Sequence, residues 1–197
     1  AGGGSECRGS TLPAIAPCGG VTYGFDDAVS LATLFTPEGC ASIVNGALRL
    51  VATVGSGDCF ARLNQLLDVE ACQLSIRITG VPTGAASVGM FFSDSAVDAH
   101  VAFTIFADRA FVGTRDGIVY ATLYDQAFDP TATPYMRIRG EGDMLFFDVS
   151  PDGLCFTPLV SADRPRWMAV PVPFDISVDH DPMGLTPDEA TVDDLNQ

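Results

Sequence analysis

From Val21 onward, apolar and polar positions alternate with a period of two. Leu48, Leu50 and Ala52 alternate with Arg49, Val51 and Thr53. Leu74, Ile76 and Ile78 alternate with Ser75, Arg77 and Thr79, and Val101, Phe103 and Ile105 with Ala102, Thr104 and Phe106. Met136 and Ile138 alternate with Arg137 and Arg139. This pattern predicts half-buried strands, because successive side chains of a strand point to opposite faces. Turn signals recur at short intervals: Asn45-Gly46, Gly55 to Asp58, Asp116-Gly117, Gly140 to Asp143 and Pro151-Asp152-Gly153. Asn-Gly and Asp-Gly tolerate positive φ and so favour tight hairpins. About a dozen short strands follow, which predicts an all-β antiparallel two-sheet sandwich of jelly-roll type. Helix is confined to Ser30 to Phe35 and to Thr186 to Leu195. In the second, Thr186 reads as an N-cap, Pro187 as the first helical residue and Glu189 as its capping-box partner. Residues 1–19 are rich in Gly, Pro and Ser and read as an arm pinned by a disulfide. Residues 20–180 read as the sandwich, and 181–197 as an acidic tail with that short helix.

Composition narrows the picture. The chain has 197 residues, 47% of them hydrophobic, which is too apolar for disorder. Ten basic residues, all Arg, face twenty-five acidic ones, for a net charge of -15. No basic face for nucleic acid is expected from this balance. No run reaches the ~18 apolar residues of a membrane-spanning helix. The six Cys, at 7, 18, 40, 59, 72 and 155, form no Cys-x-x-Cys pair, and only two His accompany them. A structural zinc site is therefore not expected, whereas disulfides of an oxidising, extracellular or cell-surface setting are. Nearest-neighbour pairing predicts Cys7 with Cys18 and Cys40 with Cys59, leaving Cys72 with Cys155.

Two stretches carry a resemblance. One is Tyr23 to Asp27 followed by Val44 to Leu50. The other is Tyr135 to Arg139, Met144 to Val149 and then Ser150 to Gly153. Together they resemble the concanavalin A-like lectin/glucanase superfamily, in its laminin-G-like jelly-roll branch, over about residues 20–178. Phe156 and Thr157 depart from it, standing where such hairpins often carry Trp. The resemblance implies two antiparallel sheets, one of them concave and commonly glycan-binding. Its catalytic members set Glu-x-Asp-x-(x)-Glu along one strand face. The five Glu here, at 6, 38, 70, 141 and 189, sit in no such pattern, and no Gly-x-Ser-x-Gly elbow is present.

The residues offer two candidate chemistries. Arg49, Arg77, Arg137 and Arg139 lie out of phase with the core. Sharing a face with His100, Phe146 and Asp148, they would form a polar cleft for a sugar or a carboxylate. Alternatively they pair with the abundant Asp. Asp148, Ser150 and Asp152, followed by Gly153, match the opening of a calcium loop, which makes calcium the one cofactor candidate. Leu159 at the twelfth position excludes the EF-hand form, and a plain hairpin turn is the competing reading. His180, between Asp179 and Asp181, reads as part of a solvated acidic corner.

The leading functional expectation is a secreted or cell-surface, non-catalytic module that binds a glycan or a surface protein. The second is a structural subunit of an extracellular assembly, with self-association. The third is a polysaccharide hydrolase with an unrecognised Asp pair, which predicts two Asp within ~10 Å in one cleft.

Overall fold

The computed structural model describes residues 15–25, 28–37, 39–54, 57–181 and 183–196. Its strands are β1 (Phe35–Pro37), β2 (Ala41–Val44), β3 (Ala47–Ala52), β4 (Cys59–Leu63), β5 (Gln73–Gly80), β6 (Ser87–Asp94) and β7 (Ala99–Ile105). They continue with β8 (Arg109–Asp116), β9 (Val119–Ala127), β10 (Tyr135–Glu141), β11 (Met144–Ser150), β12 (Thr157–Asp163), β13 (Phe174–Asp179) and β14 (Asp188–Asp193). Among the described residues these form two seven-stranded antiparallel sheets. One runs β1-β4-β13-β6-β7-β8-β9, and the other β12-β11-β10-β5-β14-β3-β2.

The period-two reading sets the core. Leu48, Leu50, Leu74, Ile76, Val101, Phe103, Met136 and Ile138 all point between the sheets and are buried there. Phe103 of one sheet meets Phe147 of the other edge to face, with ring centroids 5.8 Å apart. Asn45 and Gly46 both take positive φ at the β2–β3 turn, as that dipeptide predicts. Helix α1 spans Ala28–Leu34, close to the expected position.

The tail helix is corrected. Residues 188–193 form β14, paired with β3 on one side and β5 on the other. Asp188, Ala190 and Val192 face inward and are buried, while Glu189 is exposed. Local capping signals favour a helix, but the slot between two strands offers a full ladder of hydrogen bonds and burial of Ala190 and Val192. Tertiary context overrides a weak local preference.

Two of the three expected bridges are also corrected. Cys18 bonds Cys72, not Cys7, and Cys40 bonds Cys59 as expected. The reason lies in the entering chain: Pro17 bridges Gln73, and the Gln73 N–H donates to Ala16 O at 3.1 Å. That contact brings the Cys18 and Cys72 Cα atoms to 4.8 Å. Closing a span of 54 residues contributes about 4 kcal/mol in the chain-entropy picture. Cys155 is disulfide-bonded too, so it is not the partner of Cys72. Cys7 lies outside the described residues.

Candidate functional site

The two outer faces of the sandwich differ. On the β5-β10-β11 sheet, Arg137 stands opposite both Ser75 and Asp148 in the strand register. The Asp148 Oδ2 accepts from Arg137 Nη2 at 2.7 Å and from Arg139 Nε at 2.8 Å. Each guanidinium lies over an aromatic ring, Arg137 on Phe156 and Arg139 on Phe146, both at 3.9 Å. Arg139 also pairs with Glu141. Asp148 is 0% exposed and Arg139 5%. Burial disfavours the charged form of Arg137, and Asp148 opposes that effect. Arg77 is set over Tyr135 on the same face. The expected grouping of Arg77, Arg137, Arg139, Phe146 and Asp148 on one face is therefore what the sheet builds, but the charges are spent on one another. Two atoms escape this pairing: Arg77 Nε and Asp148 Oδ1 are buried without a hydrogen-bond partner.

His100 does not join them. It projects from β7, on the outer face of the opposite sheet, because Val101 and Phe103 take the inward positions. The expected single cleft is thus divided between two faces on opposite sides of the core.

Of the calcium-loop residues, Asp148 is taken up by Arg137 and Arg139, while Ser150 and Asp152 bond each other. Ser150 Oγ donates to Asp152 Oδ1 at 2.9 Å and accepts from the Gly153 N–H at 3.0 Å. Asp152 Oδ1 also accepts from the N–H groups of Leu154 and Cys155, both at 2.9 Å. Those hydrogen bonds hold the Asp152 carboxyl below the usual range, the Cys155 contact acting most strongly. The segment is a self-satisfied turn with Gly153 at φ 74°. Among the described residues no group of three His, Cys, Asp or Glu is placed to hold a metal ion.

The open face is the outer face of the other sheet. A groove of about 580 Å³ crosses β4, β13, β6, β7 and β8. Its floor carries Phe60, Phe91 and Phe111 with Ala102 and Thr104, and Phe106 stands at its side. Phe60, Phe91 and Phe111 occupy outward strand positions and are half-buried, with rings available to an apolar sugar face, whereas the Phe106 ring lies under the Arg109 guanidinium at 4.0 Å. Gly89 keeps the floor open between Ser87 and Phe91, since a Cβ there would meet Phe103 O at 2.3 Å.

Carboxylates line both ends of this groove. At one end lie Asp94 and Asp98, with Asp98 paired to Arg115. Nearby, burial first, then the charge of Arg115, lowers the His100 pKa, with Asp98 opposing, so its imidazole stays neutral at pH 7. Toward the middle, Asp175 is held by Arg62 through two contacts at 2.7 and 2.9 Å.

At the other end lie Asp179 and Asp58. Asp179 alternates with Asp175 and Ser177 along the outward face of β13. Its Oδ2 accepts from Ser87 Oγ at 2.9 Å and its Oδ1 from Ser177 Oγ at 3.3 Å. Asp58 is brought beside it by the His180 N–H, which donates to Asp58 Oδ1 at 3.0 Å. Burial pushes the Asp179 pKa up, and the charge of Asp58 pushes it further, while the two serines pull the other way. No cation is paired with either carboxyl among the described residues. His180 does not sit in a solvated corner; its Nδ1 is 2.6 Å from Asp188 Oδ2, and both side chains are largely buried.

Asp58, Asp179 and the floor Phe were not singled out in the sequence. A signal was present for three of them. Asp175-Ile-Ser-Val-Asp179 is an alternating acidic pattern, and Phe91 and Phe111 lie out of phase with the apolar core positions of their strands.

No family model matches the chain, and no curated protein matches it in sequence. Solved structures do match in fold. A β-glucanase from Bacillus licheniformis aligns with a TM-score of 0.68 at 11% identity, over 91% of this chain and 97% of that one. The laminarinase catalytic domain from Thermotoga maritima aligns at 0.66 and 10% identity, over 89% and 95%. A legume lectin-like domain from Entamoeba histolytica aligns at 0.64 and 8% identity, over 89% and 95%. The chain shares with these glucanases and this lectin-like domain the two-sheet jelly-roll fold. The expected non-catalytic module is corrected by this set. Glucanases and laminarinases recur in it, which favours the polysaccharide-hydrolase alternative.

Proposed function

We propose that the chain is a secreted enzyme that cleaves a polysaccharide lying along the Phe-floored groove. In this reading Asp179 is the proton donor and Asp58 its partner carboxylate. The observation that carries it is the Asp179 environment: a carboxyl in an open groove, raised by burial and by a neighbouring negative charge, with no cationic partner among the described residues. Paired carboxyls with separated proton affinities are what glycoside hydrolysis uses. Asp179 holds its proton to a higher pH than an ordinary Asp and gives it to the glycosidic oxygen as the bond to the sugar carbon breaks, and a water adds to that carbon, its proton passing to the Asp58 carboxylate. The charge of Asp58 faces the positive charge that develops on the ring. Ser87 and Ser177 orient the Asp179 carboxyl, and the Phe floor seats the sugar rings. Of the other groove carboxylates, Asp175 is paired with Arg62, Asp98 with Arg115, and Asp94 accepts the Ala96 N–H, so the acid chemistry is assigned to β13 and the segment before β4. The disulfides support secretion.

The test is release of reducing ends from a panel of β-1,3-, β-1,4- and mixed-linkage glucans. Wild type is expected to cleave at least one of them, and Asp179→Asn to lose about 10²–10⁴-fold of that rate while keeping its circular dichroism. Full activity in Asp179→Asn, or no cleavage of any glucan by wild type, contradicts the proposal.

A further inference from the structure

We propose that β9 pairs edge to edge with β9 of a second copy of this chain, giving a symmetric dimer through residues 119–122. Among the described residues β9 is hydrogen-bonded in its sheet only to β8, which leaves the other side of its backbone without a strand partner, although β12 of the second sheet packs near it. An open strand edge presents a row of unpaired N–H and C=O groups that another strand can complete. The other sheet edges are blunted. β1 has three residues and includes Pro37, β2 has four, and β12 carries Pro158. β9 has nine residues and no Pro.

The side chains at its start are apolar and uncovered. Ile118 at the hairpin tip is 93% exposed, Val119 65% and Tyr120 66%. Beyond Thr122 the β8–β9 ladder shifts register, which leaves 119–122 as the straight run next to that tip.

Charge selects the occupant. Two copies of a chain of net charge -15 repel over most of their surfaces. Residues 119–122 carry no charge, and the strand's one acid, Asp125, is neutralised by Arg109 at 3.0 Å. Here two copies meet without setting carboxylate against carboxylate, whereas a basic partner would seek the acids elsewhere. Antiparallel self-pairing about a two-fold axis at Ala121 sets Ala121 opposite its own counterpart and Tyr120 opposite Thr122 of the second copy. Such an isologous contact closes as a dimer rather than growing into a fibre.

Sedimentation equilibrium of the full chain, from micromolar to hundreds of micromolar, tests this. The expected result is a monomer–dimer equilibrium. Replacing Ala121→Glu and Thr122→Glu together sets carboxylates against each other across the axis and weakens dimerisation by about 100-fold or more. Ile118→Glu, outside the strand, weakens it in the same direction and serves if the double variant does not fold. Val170→Glu, at an exposed apolar position away from β9, leaves it unchanged. A wild type that stays monomeric throughout overturns the proposal. So does a dimer indifferent to the 118–122 substitutions, or one that Val170→Glu disrupts equally.

Discussion

The two outer faces of this sandwich hold the same kinds of side chain and use them in opposite ways. On one, Asp148 lies between Arg137 and Arg139, and each Arg is stacked on a Phe. On the other, Arg62 and Arg115 take up Asp175 and Asp98 and Arg109 lies on Phe106, but Asp179 and Asp58 stand together in an open groove with no Arg paired to them among the described residues. A carboxylate that shares two guanidiniums is structural, because its charge and one of its oxygens are committed. A carboxylate crowded by another acid, with only hydroxyl donors, keeps a proton to trade. The difference lies in what surrounds the acids, not in how many there are.

This contrast can be broken by exchanging roles. The largest effect is expected at Asp179. Asp179→Asn removes the proton donor, and it also removes the cost of ionising a carboxyl in this buried setting. The sign follows from the raised pKa: the folded state holds this proton more tightly than the unfolded state does. Stability is therefore greatest below the unfolded pKa and falls as pH rises through the folded one. Asp179→Asn is expected to inactivate while raising the thermal midpoint by a few degrees at neutral pH, with the gain vanishing in acid. Calorimetry across pH checks it.

Asp148→Asn is expected to do the reverse. It leaves Arg137 and Arg139 without their shared anion and costs about 3–5 kcal/mol in urea unfolding. Cleavage rate per folded molecule is expected to stay unchanged, since this face is across the core from the groove. Loss of activity with intact stability would place the working face on the Arg side instead.

Phe91→Ala sharpens the account of the groove floor. Losing one stacking surface is expected to raise KM about fivefold to tenfold with little change in kcat. Ser87→Ala is the smallest change. Ser87 donates to the Asp179 carboxylate and so lowers its pKa. Without it, the alkaline limb of the pH–rate profile is expected to move to higher pH, which rate measurements on either side of the limb would detect.

How much of this was legible in the chain depends on how local each signal is. Leu74, Ile76 and Ile78, like Val101 and Phe103, declare their inward face by alternation alone, because a strand's geometry transmits sequence phase directly to direction. The Arg face was legible for the same reason, since Arg77, Arg137 and Arg139 hold the opposite phase. What phase does not carry is which sheet a strand joins, and so His100 was grouped with residues on the far side of the core. β14 was hidden by a real helix-start signal at Thr186 to Glu189, outweighed only by β3 and β5 on either side. The partner of Cys18 has no local mark, because the parallel contact of Pro17 with Gln73 is made in space. Asp58 and Asp179 share that property: only the pairing of β4 with β13 brings their segments together.

The central claim is that Asp179 is the proton-holding carboxyl of the groove. A carbon-13 titration of the aspartate side chains, with the Asp179 resonance assigned by its loss in Asp179→Asn, tests it most directly. The account predicts a midpoint above that of an ordinary aspartate, moving down when Asp58→Asn removes the neighbouring charge. A midpoint at or below the ordinary value, indifferent to Asp58→Asn, would contradict it.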